Sequence, residues 1–131
     1  MVYIRNFIIT FIVFMTIDLI WLGIVAKNLY NKYLGYIMTK NINWMAAIIF
    51  YVIFVIGLLL FVIQPALAKD SLQYLILYGM AYGFITYATY DLTNLATLKD
   101  WPLEITIIDL IWGTTLSTLT SYFSYLIINK L

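Results

Sequence analysis

The sequence contains no cysteine and no histidine, and only 10% of its 131 residues are charged. Disulfides and thiol chemistry are excluded because they require cysteine. Haem ligation by histidine, Ser-His-Asp catalysis and zinc sites of the usual kind are excluded because they require histidine or cysteine. The formal net charge of +1 does not favour a nucleic-acid partner, and no cofactor is predicted.

Hydrophobic residues, in contrast, make up 65% of the chain. Soluble domains are usually about half apolar and about a quarter charged. The composition therefore predicts an integral membrane protein. A length of 131 residues predicts one membrane domain, covering residues 1–131.

Four apolar segments are long enough to cross a bilayer, which takes about 20 helical residues. They cover roughly residues 3–26, 44–63, 72–98 and 103–128, and the second is ended by Gln64-Pro65. The pattern predicts an all-α fold, a multi-pass transmembrane four-helix bundle. Lysine and arginine are divided four to three between the two sides, which only weakly favours cytoplasmic first and third loops.

The first connection is the longest, and residues 28–39 separate polar from apolar side chains at helical spacing. Asn31 and Lys32 fall on one side, whereas Tyr30, Tyr33 and Ile37 fall on the other. This pattern is typical of a short amphipathic helix in the membrane interface, here between spans 1 and 2. The alternative is a simple tether between the two spans.

The pentapeptide IDLIW occurs twice, at residues 17–21 and 108–112, and each copy places an aspartate inside an apolar segment. Asp91 is a third acid of this kind. Asp18 and Asp91 each lie about eight residues before the end of their segment, and Asp109 lies six residues after Leu103. At about 1.5 Å per residue, all three lie roughly 9–12 Å from the same membrane face. An aspartate at a helix centre costs about 2.5–3.5 kcal/mol to insert, so the three acids need polar company inside the bundle.

Each acid is followed three residues later by a side chain on the same helix face, and two tyrosines lie at a similar depth. These neighbours are Trp21, Trp112, Asn94, Tyr51 and Tyr87. Apart from Arg5, at the far end of the first segment, no lysine or arginine lies within any segment, so the acids lack an ion-pair partner. Ionised carboxylates in one layer would repel one another unless one is protonated, a cation is bound or water enters. The candidate proton or metal ligands are Asp18, Asp91 and Asp109.

The three acids have two interpretations. They could serve only to hold helices together through hydrogen bonds, which would be the better explanation for a single acid. Three acids at one depth, with tryptophan, tyrosine and asparagine beside them, favour a buried functional site.

The stretch YATYDLTNLATLKDWPLEITIIDLIWGT, residues 87–114, is distinctive. With IDLIWLG near the start, residues 27–30 and Phe50-Tyr51, it resembles a bacterial family of small membrane proteins known only as domain of unknown function 2177. The resemblance covers essentially the whole chain and implies four spans, the bacterial inner membrane and no known activity. The motif positions that it implies are Asp18, Trp21, Tyr90, Asp91, Thr93, Asn94, Trp101, Pro102, Asp109, Trp112 and Gly113. With Tyr90 and Thr93 added on this basis, the predicted ligand- or proton-binding residues are Asp18, Asp91, Asp109, Asn94, Trp21, Trp112, Tyr51, Tyr87, Tyr90 and Thr93.

Three functions are open at this point. A small proton- or cation-coupled transporter fits best, because an unpaired acid can exchange a proton for a cationic substrate and aromatic rings can stack on it. A membrane enzyme that isomerises or cyclises a lipid or isoprenoid is the first alternative, because a neutral carboxyl group can protonate a substrate. A lipid- or small-molecule-binding accessory protein is the second. The expected partners are the lipid bilayer, a small cationic or lipidic ligand, and a second copy of the chain in a homodimer.

Overall fold

The computed structural model describes all residues, 1–131, and consists of helices without any strand. Five helices follow one another along the chain: α1 Val2–Val25, α2 Lys27–Leu34, α3 Trp44–Lys69, α4 Leu72–Thr97 and α5 Leu103–Asn129. The prediction of an all-α fold is confirmed. The four long helices lie in the four apolar segments, and the short helix α2 lies in the first connection.

Local chemistry explains where three of the long helices begin. Asn43 accepts a hydrogen bond from the Ala46 amide at 3.1 Å, and Ser71 accepts one from the Tyr74 amide at 3.0 Å. Such caps satisfy amides that have no partner within the helix. Helix α5 begins after Pro102, because the residue before a proline disfavours helical geometry.

Helix α3 does not end at Gln64-Pro65 as predicted, but continues to Lys69. Pro65 lacks the amide that would bond the Phe61 carbonyl, and its ring crowds that carbonyl. Two features compensate. The turn Leu59–Ile63 widens to π geometry, and the Tyr74 hydroxyl donates to the Phe61 carbonyl oxygen at 3.0 Å. A contact from the next helix thus replaces a hydrogen bond that the proline removed.

The short helix α2 ends at Leu34, whereas the sequence pattern predicted a helix over residues 28–39. The chain turns there because the Leu34 carbonyl accepts hydrogen bonds from the amides of both Ile37 and Met38. The Tyr36 hydroxyl then donates to the Asp100 carbonyl oxygen, which ties this turn to the loop between α4 and α5. The turn therefore contacts the bundle instead of continuing as a helix.

Helices α4 and α5 pack along most of their length and approach closely at glycines. A Cβ atom at Gly83 would fall on the Gly113 carbonyl oxygen, and one at Gly113 would fall on the Tyr87 ring. The Ser117 hydroxyl donates to the Gly79 carbonyl oxygen at 2.7 Å. This close approach needs residues without side chains at the contact.

The interior is partly polar and the outer surface is largely apolar. Of the 28 buried residues, ten are polar or charged, and six of those ten lie on α5. Large apolar side chains such as Ile8, Ile53, Phe61 and Ile111 are exposed. This distribution is expected where lipid takes the place of water as solvent. By length and composition, α1 and α3 are apolar enough to cross a membrane.

Candidate functional site: an acidic and aromatic pocket

The two IDLIW pentapeptides meet in the structure. The ring of Trp21, on α1, stacks on the ring of Trp112, on α5, with centroids 4.3 Å apart and planes 10° from parallel. At the other end of the same two helices, Asn6 and Asn129 line one cavity. Helices α1 and α5 therefore run antiparallel, and the repeat places its two acids on the same level of the bundle.

Three carboxyl groups are buried in this region. Asp91 is fully buried, and Asp18 and Asp109 are each only 7% exposed. The carboxyl groups of Asp91 and Asp109 are neighbours, and neither Asp91 oxygen has a hydrogen-bond partner within the protein. An ionised carboxylate only accepts hydrogen bonds, so the two groups can bond only while they share a proton.

Helix α2 contributes a donor to this carboxyl pair. The Tyr30 hydroxyl donates to Asp109 Oδ1 at 2.5 Å. The chain returns toward the bundle because α1 ends in the π turn Trp21–Val25, followed by the buried Ala26. Burial, and then the neighbouring Asp109, raise the pKa of Tyr30 above its usual value. Tyr30 therefore remains a donor at neutral pH.

Two further donors lie beside the carboxyl groups. The Trp112 indole lies next to Asp18, and the Trp21 indole lies next to the Tyr30 hydroxyl. Neither indole N–H has a well-aligned acceptor, although both nitrogens are buried. The Tyr51 hydroxyl also lies near the Asp18 carboxyl group.

A cavity of about 390 Å³ opens beside these groups, and we call it the acidic–aromatic pocket. Its wall consists of Asp18, Trp21, Leu22, Tyr30, Leu34, Met38, Phe50, Tyr51, Tyr87, Tyr90, Asp109 and Trp112. No lysine or arginine belongs to it. An apolar chamber of about 340 Å³ adjoins the pocket, shares Phe50, Tyr87 and Tyr90 with it, and adds Thr86. Cavities of this size can hold a small organic molecule.

Seven of the ten predicted site residues line the pocket: Asp18, Trp21, Tyr51, Tyr87, Tyr90, Asp109 and Trp112. Asp91 lies behind the wall, against Asp109. Asn94 lies beside Tyr90, outside the wall. Thr93 is exposed, and its hydroxyl donates to the Thr89 carbonyl of its own helix. The three carboxyl groups do not form a group that could hold a metal ion.

A row of hydroxyl groups continues along the buried side of α5, beyond the carboxyl groups. Thr120, Ser121 and Ser124 are fully buried, and so is Thr10 on α1. None of their hydroxyl oxygens has a hydrogen-bond partner within the protein. A buried polar group without a partner costs about 1–3 kcal/mol. Four such groups would together cost a large part of the ~5–15 kcal/mol by which proteins are usually stable.

The sequence profile of a family described as Predicted membrane protein (DUF2177) matches residues 3–126. The chain belongs to this family. The resemblance inferred from residues 17–23 and 87–114 is thereby confirmed, and the chain is a membrane protein of a family of unknown function. No curated protein and no solved structure is significantly similar to it.

The residues that sequence reasoning missed come mainly from the first connection. Tyr30, Leu34 and Met38 line the pocket, together with Phe50 of α3. The amphipathic pattern placed these first three residues on the apolar side of the predicted interfacial helix. A tyrosine on that side was a usable signal, because a buried tyrosine hydroxyl usually finds a hydrogen-bond partner.

Proposed function

We propose that this protein crosses the bacterial inner membrane four times and exchanges protons for a small organic cation bound in the acidic–aromatic pocket. Helices α4 and α5 have 26 and 27 residues. Such helices are ~40 Å long, and the hydrocarbon core is about 30 Å thick. Their average hydropathy is lowered by tyrosine, serine and threonine, many of which face the interior on α5. Four spans thus agree with the large apolar side chains that all four long helices expose.

The ligand class follows from the wall of the pocket. Two acids, Asp18 and Asp109, face a cavity that no basic side chain lines. Rings of tryptophan, tyrosine and phenylalanine form most of the remaining wall. Cations are attracted to such rings by about 0.5–2 kcal/mol per contact, more where water is excluded. This acidic cavity, enclosed by aromatic rings and without a basic partner, is the observation that carries the proposal.

Proton coupling follows from the contact between Asp91 and Asp109. The pair holds a proton while the two carboxyl groups bond to each other. A cation arriving beside Asp109 stabilises the ionised form of that carboxylate and thereby favours release of the proton. The cation favours the ionised form of the Asp91–Asp109 pair, and the proton favours its protonated form. Binding of either therefore weakens binding of the other. This is the thermodynamic basis of exchange.

The test uses phenyltrimethylammonium, a permanently charged aromatic cation that is small compared with the pocket. Purified protein should bind it, measured by calorimetry, and should release protons into a weakly buffered solution as it binds. Asp109→Asn should weaken binding by at least about tenfold, equivalent to ~1.4 kcal/mol. Glu104→Gln is the matched control, since Glu104 is an exposed acid on the same helix. It should bind the cation as the wild type does.

Proteoliposomes separate transport from binding. A cation gradient should drive proton movement, reported by a pH-sensitive dye, in wild type and Glu104→Gln but not in Asp109→Asn. Equal proton movement in Asp109→Asn and wild type would overturn the proposal. Binding without any coupled proton movement would instead support the accessory-protein alternative.

The apolar chamber favours a second candidate, an enzyme acting on a lipid or isoprenoid. The chamber is lined by Phe50, Thr86, Tyr87 and Tyr90 and could accept a hydrocarbon chain whose reacting end lies near Asp109. A protonated Asp91–Asp109 pair would then act as the Brønsted acid. Lipid mass spectrometry of a deletion strain complemented with wild type or Asp109→Asn distinguishes the two. A product that only the wild type restores supports the enzyme, and unchanged lipids exclude it.

A further inference from the structure

Hydroxyl groups in this bundle differ in whether they have a hydrogen-bond partner within the protein. On the outer sides of α4 and α5, threonine hydroxyls donate to carbonyl groups of their own helix, as Thr89, Thr93 and Thr115 do. Four buried hydroxyl groups make no such bond and have no other protein partner: Thr10, Thr120, Ser121 and Ser124. Their oxygens are thus available to a ligand that can both donate and accept.

The four groups lie at one level of the bundle. Trp21 stacks on Trp112, which sets the alignment of the antiparallel helices α1 and α5. Thr10 precedes Trp21 by eleven residues, and the position eleven residues after Trp112 lies between Thr120 and Ser124. Thr10 therefore lies at the level of the hydroxyl groups of α5.

Polar residues lie on both sides of this level. Toward the acidic–aromatic pocket, Ser117, whose hydroxyl donates to the Gly79 carbonyl, lies one turn from Ser121, and Asp109 lies two turns further along the same side of α5. In the other direction lies an open cavity of about 580 Å³, whose wall includes Arg5, Asn6, Gln64 and Asn129. Gln64 Nε2 is buried there without a partner.

We propose that the hydroxyl groups of Thr10, Thr120, Ser121 and Ser124 hold a file of internal water molecules joining the carboxyl pair to the Arg5–Gln64 cavity at the opposite end. Water fits because it donates and accepts equally, and buried water usually bonds to buried polar groups that lack other partners. This inference rests on the proposed function. The water file is the route by which protons reach Asp109 and Asp91 from the end of the bundle opposite the pocket. A proton moves along it by hopping, in which each water molecule accepts one proton and passes another on, and the last transfer forms an O–H bond on a carboxylate of the pair.

Serine offers a selective probe, because the chain has only four serines: Ser71, Ser117, Ser121 and Ser124. Protein labelled with ¹³C-serine should be reconstituted in lipid bilayers and studied by solid-state NMR. The experiment measures how fast magnetisation passes from water protons to the serine carbons. Ser71 is partly exposed, caps α4 in the connection between α3 and α4, and serves as the reference for a hydrated residue. Ser121 and Ser124 should receive magnetisation from water nearly as fast as Ser71 does. Transfer to them only by slow spin diffusion from distant protons would overturn the proposal.

Thr120→Val tests the file with nearly unchanged side-chain volume. It should abolish the water signal of the adjacent Ser121 and slow cation-driven proton movement by about tenfold, equivalent to ~1.4 kcal/mol of barrier. Cation binding, which takes place in the pocket, should not change. Thr115→Val is the control, because that hydroxyl is exposed and bonds to the Ile111 carbonyl. Thr10→Val, on the other helix, should reproduce the effect of Thr120→Val.

The outcomes separate this inference from the proposed function. Water signals at Ser121 and Ser124 in a protein that binds no cation would leave the file in place and remove the proposed function. Cation-coupled proton movement without water signals at Ser121 and Ser124 would contradict the water file and leave the proposed function standing. Equal rates of proton movement in Thr120→Val and Thr115→Val would have the same meaning.

Discussion

At the scale of single residues, Tyr30 joins the segment between α1 and α3 to the buried acids. It belongs to a short helix that shares no segment with any acid, and yet its hydroxyl bonds directly to Asp109. A neutral tyrosine can only donate to a carboxylate, so this bond favours a negative charge on Asp109. The bond thus determines which member of the Asp91–Asp109 pair more readily carries the charge, and it directs that charge toward the pocket.

The ionisation of Tyr30 can be measured directly. The pKa of Tyr30 is raised by burial and by Asp109, so its hydroxyl should stay protonated where exposed tyrosines, with a pKa near ~10, have ionised. The stabilisation from this bond should be present below that usual value and be lost only as pH rises through the higher value of the folded protein. At pH ~11, wild type and Tyr30→Phe should show the same tyrosinate absorbance at ~295 nm. A deficit of one tyrosinate in Tyr30→Phe would contradict this expectation.

At the scale of helices, the contact between α4 and α5 depends on two glycines. Gly83 lies on α4, and Gly113 lies opposite it on α5. Their absence of side chains lets the Ser117 hydroxyl reach a carbonyl of the neighbouring helix and lets Tyr87 lie across Gly113. Because Asp91 and Asp109 are on these two helices, the same close approach brings their carboxyl groups together.

Gly83→Ala should therefore destabilise the bundle. Its Cβ atom would meet the Gly113 carbonyl oxygen, a backbone atom that cannot move aside. Overpacking of this kind costs about 1–3 kcal/mol or more. Gly23→Ala is the control, since nothing lies within 4 Å of a Cβ atom there. It should leave stability unchanged or raise it by about 0.5–1 kcal/mol. Thermal unfolding in detergent gives the comparison, and equal midpoints for both variants would refute the glycine argument.

At the scale of the whole molecule, the bundle has polar groups inside and apolar groups outside. This arrangement explains why α5 is less apolar on average than α1 and α3. On α5, Asp109, Ser117, Thr120 and Ser124 are buried, whereas Ile111 and Phe123 are exposed. Average hydropathy counts both groups equally, although only the exposed side chains meet lipid. The proposed four spans therefore depend on which side of each helix is buried.

Single cysteines can test the number of spans, because the natural chain has none. Lys40, Lys69, Lys99 and Lys130 are exposed, and each lies at the end of a different long helix or in the connection after it. With four spans, a membrane-impermeant maleimide should label Lys40→Cys and Lys99→Cys from one side, and Lys69→Cys and Lys130→Cys from the other. If α4 and α5 did not cross, cysteines at 69, 99 and 130 would all be labelled from the same side.

Local physics was sufficient to infer a helical membrane protein and to predict a common depth for Asp18, Asp91 and Asp109. The rise per residue is constant and the segments are easily recognised, so depth can be counted along the chain. The stacking of Trp21 on Trp112, the bond from Tyr30 to Asp109, the outward position of Thr93 and the passage of α3 through Pro65 could not be inferred this way. Each depends on how a helix is rotated about its axis and on what its neighbour offers. Those are properties of packing between distant parts of the chain, and the order of residues within one helix does not contain them.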